Sequence, residues 1–375
     1  MAKGLTTMKL IRATETSSEE LTDFLKSSSL PGIIDIQVRR RGSFFNHYRL
    51  LSEDFVSLVL IDKKNKIQAL ATIVFSKGKI QGEEQIIGYA TDLRVSSSRS
   101  AIVHWSEMFL PALLEERDRR GCRYIFSSVG KSYTQAYNAF IRPRTTKRFL
   151  PRYFLYKKFS VVNVHGVFPF SAPPLKSVQI RKANVEDLTE IDDYIQKKQL
   201  YRPMVLQDWD VSYNLSHWPY LRPENFLLAL DAEKNVVGCC SLWDPTPVQV
   251  YQPSKWKKRA LTFRQTLKFL RLLGMAHSLS HPSDPLNFLQ LNHLYGENPD
   301  IIDSLLKASY GNTSKKHYFS YVHFDGDLST LPPKGLLTTQ IPFGLYCILS
   351  PDDPIPDFLK PKFYGEPPDF HLAFL

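Results

Sequence analysis

The sequence predicts an α/β protein of two similar domains, each a mixed, mostly antiparallel sheet with helices on both faces. Three observations predict it. The length of 375 residues favours two domains over one. One order of strand and helix patterns, β-α-β-β-β-α-β-α-β-β, runs through the chain twice. Between the copies, the stretch FPFSAPPLKS at 168–177 is rich in proline and serine and reads as a linker, dividing the chain into domains 1–172 and 173–375.

The first copy opens in MKLIRATETSSEELTDFLK with a short strand containing Ile11 and Arg12. A polar break follows, then a helix carrying Leu21, Phe24 and Leu25 along one side. Apolar runs at Phe55–Ile61 and Ile67–Phe75 flank the polar turn DKKN, a hairpin signal. Glu83 and Glu84 fall in a connection, and a strand runs from Ile86 to Val95. After the break Ser96-Ser97-Ser98-Arg99-Ser100, the residues Ile102, Trp105, Phe109 and Leu113 keep helical spacing. A short strand at Arg123–Ser127, a helix over 132–141 and one or two strands in RYFLYKKFSVVNVHGV complete the copy.

The second copy, VQIRKANVEDLTEIDDYIQ, places Ile180 and Arg181 in a strand. Asn184 is its N-cap, and Leu188, Ile191 and Ile195 form the helical stripe. Strands at Phe226–Leu230 and Val236–Trp243 flank the turn DAEKN. A short run at Val248–Tyr251 and a basic break lead to a helix with Ala260, Phe263, Leu267 and Leu270 in step. A strand at Phe288–Leu294, a helix begun by Asn298-Pro299, and strands near His317–Phe324 and Gly344–Leu349 follow. The irregular stretch from Leu200 to Phe226 is long enough to fold over the second domain's cleft as a lid, with Trp209, Tyr213, Trp218 and Tyr220 as its aromatics. The proline-rich tail after Ser350 is expected to wrap the surface.

Hydrophobic and charged fractions of 43% and 23% are those of a globular protein, and no apolar run is long enough to span a bilayer. Cys122, Cys239, Cys240 and Cys347 lack metal-ligand spacing and read as buried thiols in a reducing cytoplasm. No metal site is expected: His277 and His281 in HSLSH have no nearby Glu or Cys to complete one. SSVGKS at 127–132 ends like a phosphate-binding loop, but its first glycine position is Ile125, which excludes the cradle. The net charge of +11 suits a polyphosphate ligand, an anionic lipid surface or nucleic acid, the last of these not favoured. The serines and arginine before the long helix make a seat for phosphate, because a helix start leaves amides unpaired and carries partial positive charge.

With the residues YATDLRVSSSRSAIV and the helix after them, the chain resembles the GNAT superfamily of acyl-CoA-dependent N-acyltransferases, in a tandem arrangement. The resemblance implies acetyl-CoA or another acyl-CoA as co-substrate and an amine-bearing acceptor. It implies that Leu93, Arg94 and Val95 end the strand that meets the pantetheine arm. Ser98, Arg99, Ser100, Ala101 and Ile102 would hold the pyrophosphate, with Ser100 and Ala101 where glycines are usual. A loop position needing positive φ would disfavour serine. Asp92 would be the acidic base on that strand, its carboxyl raised by desolvation. Tyr137, one turn from Tyr133, would protonate the leaving thiolate, because Phe140 stands at the family's usual tyrosine position. The matching loop of the second copy would be YQPSKWKKRA at 251–260, which has no glycine. Two further readings share these residues. One is a non-catalytic binding or sensor module of the same fold. The other is a relative of the aminoacyl-tRNA-dependent transferases, whose long helical arm is not visible here.

Overall fold

A computed structural model describes residues 8–133, 150–169, 171, 175–360 and 366–375. In the first half, β1 (Lys9–Arg12), α1 (Ser18–Ser27), β2 (Ser29–Leu30), β3 (Ile34–Arg40) and α2 (Asn46–Arg49) lead into β4 (Phe55–Ile61), β5 (Ile67–Ile80) and β6 (Glu83–Val95). Next come α3 (Arg99–Arg119), β7 (Tyr124–Gly130) and β8 (Arg152–Val167). The second half runs β9 (Gln179–Lys182), α4 (Leu188–Leu200), β10 (Met204–Val205), α5 (Val211–His217), β11 (Phe226–Leu230), β12 (Val236–Trp243) and β13 (Gln249–Trp256). It ends with α6 (Lys258–Leu272), β14 (Phe288–Gly296), α7 (Pro299–Asn312), β15 (Tyr318–Phe324) and β16 (Leu336–Leu349).

The repeat is visible in local chemistry. Asp62 accepts the amides of Lys64 and Lys66, and Asn65 turns left-handed at φ 58° to close the β4–β5 hairpin. Asp231 does the same for Glu233 and Asn235, with Lys234 at φ 69° closing β11–β12. These are Asx turns, in which the carboxylate stands in for a backbone acceptor. Asn184 and Asp187 form a reciprocal capping box, and Asn298 caps α7 by accepting the Ile301 amide.

The two copies do not keep separate sheets. A single 13-stranded sheet runs β1-β4-β5-β6-β7-β16-β8-β15-β14-β12-β11-β9, with β10 paired to β5. The last strand, β16, lies between β7 and β8 of the first half, so the halves share their central strands. The expected boundary at 172–173 falls outside the described residues. One face of the sheet carries a core common to both halves, in which Leu21, Tyr48, Ile191, Trp209 and Phe374 are all buried. The other face carries two cores, one under α3 with Trp105 and Phe109, one under α7 with Ile302 and Leu305. Helices therefore cover both faces, as expected.

Four expectations are corrected. Residues 366–375 do not wrap the surface: Phe370, Leu372, Ala373 and Phe374 are buried in the common core, because this end of the tail is apolar and finds apolar partners. The stretch from Leu200 does not cover the second half alone. It adds β10 to β5 and the Trp218 indole donates to the Leu50 carbonyl of the first half, while Trp209 packs on His293 and Trp218 on Trp243 of the second, and Tyr220 is exposed. Glu83 and Glu84 belong to β6, because Gln81 and Gly82, both at positive φ, make the turn instead. Ile102 faces solvent; the α3 stripe is Ala101, Trp105, Phe109 and Leu113.

Candidate functional site

β6 and β7 are parallel, and they pair only where Ile87–Tyr89 meet Tyr124–Phe126. Beyond that point β6 continues to Val95 against β5, while β7 continues to Gly130 against β16. The sheet thus opens between residues 90–95 and 127–130, at the carboxyl ends of two parallel strands. In α/β sheets such a position admits a ligand. The second half has a counterpart: β14 and β15 are parallel and pair only where Phe288–Gln290 meet Tyr318–Ser320, after which β14 follows β12 and β15 follows β8, and residues 367–371 of the tail lie against that opening. β13 leaves the large sheet and pairs with β3 of the first half, and β12 pairs directly with β14. The stretch at 251–260 is therefore mostly strand and helix start, which corrects the expectation of a second phosphate loop.

Three residues separate β6 from α3, so the helix's amino end stands at the mouth of the opening. Ser98 is the N-cap: its side-chain oxygen accepts the Ala101 amide at 3.1 Å and its carbonyl accepts the Ile102 amide at 3.1 Å. The Arg99 and Ser100 amides are the helix's first two and have no intrahelical acceptor. Ser96 is tied to Gln68 by its amide and its hydroxyl. No residue from Ser96 to Ile102 has a positive φ, so this loop asks for no glycine, and serine at 100 carries no backbone strain. Two free amides, small side chains and the exposed Arg99 fit a diphosphate. Ala101, Leu93 and Val95 turn their side chains into the α3 core, leaving only their backbone for a ligand.

Asp92 sits at a β-bulge. Thr91 pairs with Thr72 and Arg94 with Leu70, so Asp92 and Leu93 together face Ala71, and Asp92 takes φ 52°. Its side chain is 7% exposed and is held by two residues that sequence reasoning did not single out, Arg40 and Tyr48. Arg40 Nη2 donates to Asp92 Oδ2, and the Tyr48 hydroxyl donates to the same oxygen at 2.7 Å. Burial pushes this carboxyl up, but Arg40, Arg94 and the Tyr48 hydrogen bond outweigh it, and the net position is down, at about 2. The expected rise is thus corrected. Burial and Arg40 hold His47, in the same cluster, well below the ordinary imidazole value, and burial raises Tyr48. Gln249 and Tyr251 come from β13, so both halves build this cluster. Its signal in the sequence was faint: Arg39-Arg40-Arg41 reads as surface charge until β3 is seen to bury its middle member.

The chain is structurally similar to N-acyltransferases of this geometry. Yeast (Saccharomyces cerevisiae) N-myristoyltransferase with bound myristoyl-CoA, itself a tandem GNAT fold, superposes with a TM-score of 0.51 over 91% of this chain and 82% of that one, at 11% identity. A GCN5-related N-acetyltransferase from Sphaerobacter thermophilus gives 0.51 over 91% and 95%, at 11% identity. This chain has the tandem GNAT fold. A conserved protein of unknown function from Enterococcus faecalis V583, described as "Probable N-Acyltransferase", gives 0.52 over 92% of this chain and 73% of that one, at 10% identity. No protein-family model and no curated protein matches the sequence.

Within this GNAT fold, Tyr137 lies outside the described residues. Tyr133 is half-buried against Gly130 and Phe343, and desolvation raises its hydroxyl. A second polar cluster, invisible in the sequence, lines a cavity of about 60 Å³ between β14, β15 and the tail. Asn292, His293, Tyr321 and His371 face it, and both ring nitrogens of His293 lack a hydrogen-bond partner. His293 also takes φ 54°, at the irregularity where β14 adjusts its register to β12. Burial keeps both imidazoles neutral by lowering them. Among the described residues no group of His, Cys, Asp or Glu could hold a metal, and no described helix is long and apolar enough to cross a membrane.

Proposed function

We propose that this chain is an acyl-CoA-dependent N-acyltransferase whose donor site lies in the first half. One observation carries the reading: the sheet opens between β6 and β7 and the amino end of α3, with its serines and Arg99, stands at its mouth, whereas the matching opening between β14 and β15 is lined by tail residues 367–371. The Arg99 and Ser100 amides would bind the diphosphate of an acyl-CoA, with Ser98 capping the helix and the Arg99 side chain adding charge. Leu93, Arg94 and Val95 would present backbone groups to the pantetheine arm, next to the solvent-facing Ile102. The acyl-CoA supplies the thioester as electrophile.

Asp92, ionised and locked by Arg40 and Tyr48, is a weak base. Its role here is to fix the bulge that shapes the opening. His47 is held neutral by burial and by Arg40, which makes it a weak base as well. Tyr137 is assigned as proton donor to the departing thiolate on the resemblance alone. The acyl group is acetyl or longer, the acceptor is an amine, and a reducing cytoplasm suits four buried free thiols.

Titration calorimetry with CoA and acetyl-CoA tests this. A measurable Kd is expected for both. Ser100→Glu should weaken it at least about tenfold while leaving the melting temperature unchanged or raised, because a carboxylate repels phosphate yet favours a helix start. No heat with any acyl-CoA would refute the reading. Binding without transfer to any amine would leave a sensor or binding module.

A further inference from the structure

Arg40 carries an inference that rests on the acyl-transfer reading and narrows its substrates. Its side chain is 2% exposed and its Nη2 donates to Asp92, yet Nε and Nη1 are buried with no partner. Buried donors on a cation are costly to leave unmade. Arg94 Nε is also buried and unpartnered, and Arg94 lies close enough to Asp92 to act on its charge. The neighbouring rings, Tyr48, Tyr251 and His47, are uncharged at neutral pH, because burial raises the phenols and lowers the imidazole. Two guanidinium groups therefore face one carboxylate, a surplus of one positive charge.

Gln249 stands directly opposite Arg40 across the β3–β13 pair. Side chains at such positions are in contact range. Gln249 Nε2 donates to the Tyr251 hydroxyl, while its Oε1 is buried without a donor. Gln249 Oε1 can answer one of the two Arg40 nitrogens, which leaves the other and Arg94 Nε without an acceptor. We infer that Arg40, with Arg94, binds the carboxylate of a substrate. A carboxylate fits where a phosphate would not: the surplus is a single charge, and Asp92 adjoins it. The group belongs either to the acceptor, as in an amino acid, or to the acyl chain, as in a dicarboxylic acyl-CoA.

The test uses the full chain in three arms. The first compares direct binding of N-acetylglycine and succinate with that of their uncharged amides. The second compares transfer from acetyl-CoA to amino acids and to amino-acid amides. The third compares succinyl-CoA with butyryl-CoA as donor. We expect at least about tenfold preference for the carboxylate in the first arm and in one of the other two, which identifies the source. Arg40→Gln should abolish the preference. If that variant does not fold, Arg40→Lys, which keeps a cation beside Asp92 but removes two nitrogens, should reduce it several-fold. Equal affinity for acid and amide, with CoA binding normally, overturns this inference and leaves the transferase reading. Failure of CoA binding alongside Arg40-dependent carboxylate binding overturns the transferase reading and leaves the carboxylate site.

Discussion

Replacing Asp92 with Asn keeps the side chain's shape and removes its charge, which strands Arg40 in the interior. The two side chains are 7% and 2% exposed, so solvent cannot take over the role of counter-ion. Breaking a buried pair by neutralising one partner costs about 3–5 kcal/mol. The pair also has a signature in pH. Asp92 is held at about 2, against an ordinary 3.8. A difference of that size corresponds to about 2 kcal/mol of stability. The folded carboxyl is the more acidic one, so this stability is complete above about pH 4 and drains away as pH falls toward about 2. Urea unfolding of the wild type, Asp92→Asn, Arg40→Met and the double variant reads the coupling. At neutral pH, Asp92→Asn should lose about 3–5 kcal/mol. The double variant, with neither charge, should be at least about 2 kcal/mol more stable than the sum of the single losses predicts. Asp92→Asn should also lose the share of the wild type's acid sensitivity that this carboxyl supplies. A loss below about 1 kcal/mol for Asp92→Asn, or strict additivity, would show that the pair does not hold the bulge.

Three further variants probe the packing. Phe374→Ala should cost about 3–5 kcal/mol by chemical denaturation, because the ring is 1% exposed in the common core; a loss within experimental error would place the tail outside that core. Tyr321→Phe removes a buried hydroxyl that has no partner, so stability should be unchanged or raised by up to about 1 kcal/mol, and a clear loss would reveal a bound water or ligand in the cavity. Gly78→Ala would drive a methyl group into the Val205 carbonyl oxygen where β10 meets β5. We expect a loss of about 1–3 kcal/mol in thermal unfolding, and a neutral result would mean that β10 is free to move aside.

Much of the element plan was legible in the residues. Phe55–Ile61, Phe226–Leu230 and Val236–Trp243 are strands with the bounds their apolar runs imply. Asn184 and Asn298 cap helices where their position predicts. The start of α3 was legible too, since serine at an N-cap follows from local backbone chemistry. The polar partners of the site were not. Arg40 and Asp92 stand 52 residues apart, and Gln249 comes from the other half, so no local pattern ties them together.

The chain's own order of apolar periods, caps and turns determined that it is α/β, that it repeats, and where its capped helices begin, because these depend on contacts between near neighbours in sequence. Only the tertiary structure decided that β16 enters the first half, that β13 deserts the second half's sheet, and that the end of the tail is core. A strand's pattern states which of its faces is apolar and says nothing of which edge it will join. That choice rests on the packing of distant segments, and it is what sets residues 367–371 of the tail against the opening between β14 and β15.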